Sequence, residues 1–122
     1  MFDIQSKEIQ TVIQNYFEGI YNGNEVQLKD VFHTQALLFG DIKGIPYFKT
    51  VTDYLDGVKS RKSPAEMGED FKMEILGIEV LGSIAIAKLH VPMLGNNYYD
   101  FLSLALVNEK WKIVNKVFTH VE

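Results

Sequence analysis

Asp100, Ser103, Asn115, Lys116 and His120 interrupt an otherwise apolar run from Tyr98 to Glu122, at positions where a plain sheet favours β-branched or aromatic residues. Polar groups set in an apolar strand wall are the usual means by which a pocket orients a ligand. His120 carries the side chain best suited to act as a base near neutral pH, and it shares strand parity with Lys116 and Phe118. Asn115 has the opposite parity from Lys116, so a regular strand points only one of the two inward. The Ser103 hydroxyl, between Leu102 and Leu104, needs a partner if buried, and a local group or a ligand would serve equally. His90 and His120 have no further His or carboxylate beside them at metal-ligand spacing, so no metal site is expected.

Length and composition limit what such a pocket can belong to. At 122 residues, 47% of them hydrophobic, the chain has the size of one domain, residues 1–122, around one core. A net charge of −4 and a pI near 5.3 argue against nucleic acid as a partner, since phosphate contact needs concentrated Lys and Arg. The one basic cluster, Lys59-Ser60-Arg61-Lys62, reads as a solvated loop. Without cysteine there can be no disulfide, thiolate nucleophile or Cys-ligated zinc. No basic-then-apolar leader opens the chain and no apolar run approaches the roughly eighteen residues of a membrane span, so a soluble, cytoplasmic protein is expected.

Ile9, Val12, Ile13, Tyr16, Phe17, Ile20 and Tyr21 recur at helical spacing and form one apolar stripe, with Ser6 as the expected N-cap and Asn22-Gly23 as the left-handed stop. Tyr16 in that stripe is either core with its hydroxyl at the edge or a donor into a pocket. Asn24 caps a short second helix, with Gln27 at the capping-box position and Val26, Val31 and Phe32 available for burial. A short strand over 35–39 and a turn over 40–44 lead to a helix that Pro46 is expected to start, carrying Tyr47, Phe48, Val51, Tyr54, Leu55 and Val58. Asp53 and Asp56 mark its wet side. The second half reads as an antiparallel meander over 71–81, 84–93, 98–107 and 111–120, with Gly77 marking a bulge. An α+β fold follows, three N-terminal helices on a strongly bent, mostly antiparallel sheet.

This order of elements resembles the nuclear-transport-factor-two-like superfamily, which includes ketosteroid isomerase, scytalone dehydratase and the polyketide cyclases. Asp100-Phe101-Leu102-Ser103-Leu104, with Trp111-Lys112-Ile113-Val114-Asn115-Lys116-Val117-Phe118 after the turn, is similar to the branch named for lumazine binding. The resemblance implies a cone whose sheet and first helix enclose a pocket, and a homodimer through the outer sheet face. Leu102, Leu104 and Leu106 could supply that face.

Ketosteroid isomerase needs a carboxylate base and an oxyanion hole made by a tyrosine and a protonated aspartate. Counting from Gly23, the resemblance places Tyr16 on the tyrosine, Gly40 on the base, and Ser103 approximately on the aspartate. Asp41 is adjacent to the base position, but one residue of shift in a strand turns a side chain to the other face. Steroid isomerisation is therefore not expected. Three functions remain. One is a small-molecule-binding protein with no cofactor, its pocket formed by Tyr16, Phe39, Tyr54, Phe101 and Phe118, with Ser103, Lys116 and His120 as polar contacts. Another is an isomerase, dehydratase or cyclase using His120 or Asp41 as base and Tyr16 as donor. The third is an interaction domain whose cavity is filled by its own side chains.

Overall fold

The computed structural model describes residues 2–122. Helix α1 runs over Phe2–Asn22 and α2 over Glu25–Val31, followed by strands β1 (Phe32–Ile42) and β2 (Ile45–Thr50), helix α3 (Val51–Ser60), and strands β3 (Glu74–Leu81), β4 (Ile84–Met93), β5 (Asn96–Val107) and β6 (Lys110–His120). The six strands form one open sheet in the order β2-β1-β6-β5-β4-β3. Only the β1–β6 pairing is parallel. The α+β expectation is met: three helices pack on a bent sheet, in the cone-shaped arrangement.

Ile9, Ile13, Tyr16, Phe17 and Ile20 are all buried, so the stripe of α1 is the helix side of the core. Facing it are Ala87, Leu89 and Val91 of β4, Leu102 and Leu104 of β5, and Ile113 of β6. Each fully buried aliphatic or aromatic side chain contributes about 1.5–3 kcal/mol to this core. Register shifts at Ile75/Gly77 and at Ser103/Leu104 bend the sheet toward α1. The second shift also breaks parity along β6: Trp111 and Ile113 are buried, then Lys116 and Phe118.

Several boundaries differ from the sequence expectation, each for a local reason. Ser6 does not cap α1; it lies inside the helix, where its Oγ accepts from Gln10 Nε2 at 3.4 Å. Asn24 does cap α2, accepting from the Gln27 N–H at 3.1 Å. The Gln27 side chain reaches back to Asn15 and Glu18 rather than closing a capping box, and Val26 is exposed while Leu28 is buried.

The largest difference lies at 45–50, a strand and not the first turns of a helix. Lys43 and Gly44 both adopt positive φ, at 52° and 86°, and make a tight hairpin turn that Asp41 fastens by accepting from the Gly44 N–H. Pro46 then sits on an edge strand, where its missing N–H costs no ladder bond, and α3 starts later, capped by Thr50. Tyr47 and Phe48 consequently belong to the sheet.

Candidate functional site

Asp100 lies on β5 with the parity of Leu102 and Leu104, so the sheet turns it toward α1. Lys116 of β6 pairs with Leu102 and projects from the same face. Both charged side chains are buried, Asp100 at 2% and Lys116 at 5% exposure. Buried charges persist when they are paired or hydrogen-bonded; Asp100 is both, and Lys116 is held by the pairing and by the aromatic faces around it. Tyr16 donates its hydroxyl to Asp100 Oδ2 at 2.6 Å, and Lys116 Nζ lies 3.9 Å from the same oxygen. The ammonium also faces the rings of Tyr54, Phe118 and Tyr16, at 4.9, 5.0 and 5.4 Å from their centroids.

Burial, reinforced by the Asp100 charge, holds the Tyr16 phenol well above the ordinary tyrosine range. Burial alone would lower Lys116, but the oxygens of Tyr54, Asp100 and Tyr47 outweigh it and raise its pKa. Tyr47 and Tyr98 are raised chiefly by burial, against an opposing effect of Lys116. At neutral pH the Lys116 side chain is therefore an ammonium and the Tyr16, Tyr47 and Tyr98 phenols are protonated.

A cleft leads inward to this cluster. Tyr47, Tyr98 and Arg61 are half-buried at its sides; Asp100, Lys116 and Phe118 are buried in its wall. It leaves about 40 Å³ for water-sized molecules, enough for a water or one small functional group and well below the several hundred Å³ typical of a ligand pocket. Two donors facing this space have no partner among the described residues: the Tyr54 hydroxyl and Arg61 Nη2.

Arg61 corrects the reading of 59–62 as a wholly solvated loop. Its backbone N–H caps α3 through the Gly57 carbonyl, and the segment beyond is tied to α1 by Ala65 N–H donating to Tyr21 O. That path turns the guanidinium into the cone, whereas Lys59 and Lys62 stay exposed.

Of the residues picked out in the sequence, Tyr16, Tyr54, Lys116 and Phe118 meet at this cluster. Phe39 and Phe101 instead project from the outer face, Phe101 being 57% exposed, and Ser103 shares the parity of Phe101. Asn115 also points away, donating to the Leu37 carbonyl at 3.2 Å, so Lys116 is the inward residue of that pair. His120 accepts from the Asn97 N–H through Nδ1 at 2.9 Å and borders a separate surface depression with Lys43 and Glu69. Asp41 accepts from Thr119 Oγ1 at 2.6 Å and from the Gly44 N–H at 3.0 Å; these bonds hold its pKa below the usual carboxylate value. Among the described residues no group of three or more His, Asp or Glu is placed to hold a metal ion.

The count against ketosteroid isomerase is corrected at one position. Asp100, not Ser103, stands against Tyr16, because Ser103 has the wrong parity to reach it. Gly40, at the base position, has no room for a side chain: an added Cβ would lie 2.3 Å from the Phe118 carbonyl oxygen. The sequence signal for Asp100 was its even parity with Leu102 and Leu104; Arg61 gave none.

A family model with the description "Putative lumazine-binding" matches residues 5–119. The chain is 30% identical over 125 aligned residues to "Aldolase FrzH" of Cladobotryum sp., covering 94% of this chain and 93% of that protein. Among solved structures, an NTF2-like protein of unknown function from Shewanella baltica OS155 superposes with a TM-score of 0.88 at 22% identity, covering 100% of this chain and 98% of that one. Another from Methylobacillus flagellatus KT gives 0.86 at 23% identity, covering 97% and 93%. These structural likenesses establish the fold. Together with the family match, which spans nearly the whole chain, they show that this protein belongs to the putative lumazine-binding family of nuclear-transport-factor-two-like proteins.

Proposed function

We propose that this protein binds a small molecule in the cleft that leads to Tyr16, Asp100 and Lys116. The observation that carries the reading is the pair of buried, unpartnered donors, Tyr54 Oη and Arg61 Nη2, on the wall of one cleft. Each unsatisfied buried polar group costs about 1–3 kcal/mol, which an occupant offering acceptors would relieve. Because the free space is small, the ligand inserts one functional group and rests the remainder against Tyr47 and Tyr98, or displaces a side chain on binding. Titration of lumazine, pterins and a metabolite panel by calorimetry and thermal shift tests this. The reading fails if no compound raises the melting temperature and none perturbs the amides of Tyr54, Asp100 and Lys116.

A second reading is favoured by the 2.6 Å contact of Tyr16 with Asp100 and by the relative named as an aldolase. In it the chain is an enzyme acting on a carbonyl compound. Asp100 takes the proton α to the carbonyl, and Lys116 stabilises the developing enolate oxygen. Asp100 and Lys116 thereby replace His120 and Asp41, which do not border the cleft. Exchange of α-protons for deuterium in carbonyl compounds, lost in Asp100→Asn, is the expected result; equal exchange in that variant excludes the mechanism.

A homodimer through the outer sheet face is also proposed. Leu102 and Leu104, expected on that face, are instead buried in the core because they have the inward parity of β5. Phe48, Phe39, Val117 and Phe101 are exposed and lie in register across β2, β1, β6 and β5, forming one apolar row. Contiguous exposed apolar surface of this kind commonly marks a protein interface.

A further inference from the structure

We infer that the group the cleft receives is a carboxylate, held by Arg61 and Tyr54. The inference rests on the ligand-binding reading above and adds the chemical class of the ligand.

Charge is the first argument. The cleft is lined by two cations, Arg61 and Lys116, and by one carboxylate, Asp100. Lys116 is already committed, with Asp100 3.9 Å away and three aromatic faces around it. Arg61 has no such partner: among the described residues no carboxylate oxygen lies within 4.0 Å of its guanidinium. The phenols of Tyr47 and Tyr98 add no negative charge near neutral pH, since burial keeps them protonated. One positive charge is left over. A monoanion neutralises it, whereas a phosphate dianion would leave a net negative charge in the cleft.

Donor geometry and size give the second. Guanidinium matches the planar, two-oxygen face of a carboxylate, and a phenol hydroxyl can donate to the same group. Tyr54 is 5% exposed, so its free hydroxyl can be satisfied only from inside the cone. The room available, about 40 Å³, suits a carboxylate and excludes a ring. A neutral amide would satisfy one acceptor position but would leave the guanidinium charge unmatched.

Benzoate and benzamide differ in charge at nearly constant shape and serve as the probes. In a nitrogen–proton NMR titration of the whole chain, benzoate is expected to shift the amides of Tyr54, Asp100 and Lys116 and to bind at least about tenfold more tightly than benzamide. In Arg61→Gln the ratio falls to near one. In Arg61→Lys, which keeps the charge but loses the fork, it falls only in part, and Tyr54→Phe weakens benzoate several-fold. Spectra of the unliganded variants report whether each is folded; Arg61→Gln and Arg61→Lys retain the backbone cap on α3. A wild-type preference for benzamide, or a ratio unchanged in folded Arg61→Gln, overturns the carboxylate while leaving small-molecule binding intact. No shift of cleft amides by either probe also overturns it, and the broader reading then stands or falls on the lumazine and metabolite titrations.

Discussion

Replacing Asp100 by asparagine removes one negative charge and almost no volume. In the wild type the carboxylate accepts from Tyr16 at 2.6 Å and lies 3.9 Å from Lys116 Nζ, with both charged side chains buried. The asparagine amide oxygen can still accept from Tyr16, so the loss falls on Lys116. Its ammonium is left buried with only aromatic faces around it. Breaking a buried pair by removing one partner costs about 3–5 kcal/mol. The residual attraction of three ring faces, each worth about 0.5–2 kcal/mol, puts Asp100→Asn at the lower end, about 3 kcal/mol. For a chain of this length that corresponds to a fall in Tm of about 10 °C.

Lys116→Met supplies the control. It removes the ammonium and leaves Asp100 with its Tyr16 donor, so it should cost about 1–3 kcal/mol. The double variant has no charge to strand and is expected within about 1 kcal/mol of Lys116→Met alone, giving a coupling energy of about 2 kcal/mol or more. Urea denaturation followed by circular dichroism measures all four corners of the cycle. If Asp100→Asn costs under about 1 kcal/mol and the coupling is below about 0.5 kcal/mol, the two groups are not a pair and the electrostatic account of the site is wrong.

Tyr16→Phe deprives the buried carboxylate of the Tyr16 hydrogen bond and should cost about 1.5–3 kcal/mol in the same assay; a loss under about 0.5 kcal/mol would contradict that bond. Tyr16 and Lys116 both have raised pKa values in the folded state, so the folded protein retains protons that the unfolded chain releases. Their contribution is complete below about pH 10 and is lost as pH rises through the folded values; urea midpoints should gain no fall from these two groups between about pH 8 and pH 9 and should fall as pH rises above about 10, less steeply in Tyr16→Phe. Gly40→Ala drives a methyl into the Phe118 backbone, with a Cβ to oxygen distance of 2.3 Å. A destabilisation of about 3 kcal/mol or more is expected, and a near-neutral variant would show that β1 and β6 can separate locally. Phe101→Glu places a charge in the apolar row of the outer face; sedimentation velocity is expected to give a dimer for the wild type and a monomer for this variant, and a monomeric wild type refutes the interface.

Much of the fold was legible in the chain because hydrophobic periodicity is a local signal. The α1 stripe, the β4 limits and the Gly77 bulge could be read without tertiary information. Pro46 misled for a local reason too: its fixed φ suits both a first helical turn and an edge strand, and the choice was made by the Lys43-Gly44 turn and the Thr50 cap. The candidate site was less legible. Tyr16, Tyr54, Lys116 and Phe118 could be picked out by type, but which strand face turns inward depends on register, and the shift at Ser103/Leu104 changes parity along β6.

By itself, then, the sequence determined an α+β domain of the nuclear-transport-factor-two-like kind and the polar residues available to its sheet, because composition and spacing act along the chain. Tertiary structure decided which of those residues meet. It set Asp100 against Tyr16 across 84 positions of sequence, turned Ser103 outward, and brought Arg61 from a basic loop into the cleft. Charge pairing in a low-dielectric interior depends on distances of a few ångströms between elements remote in sequence, and only packing of the elements fixes those distances.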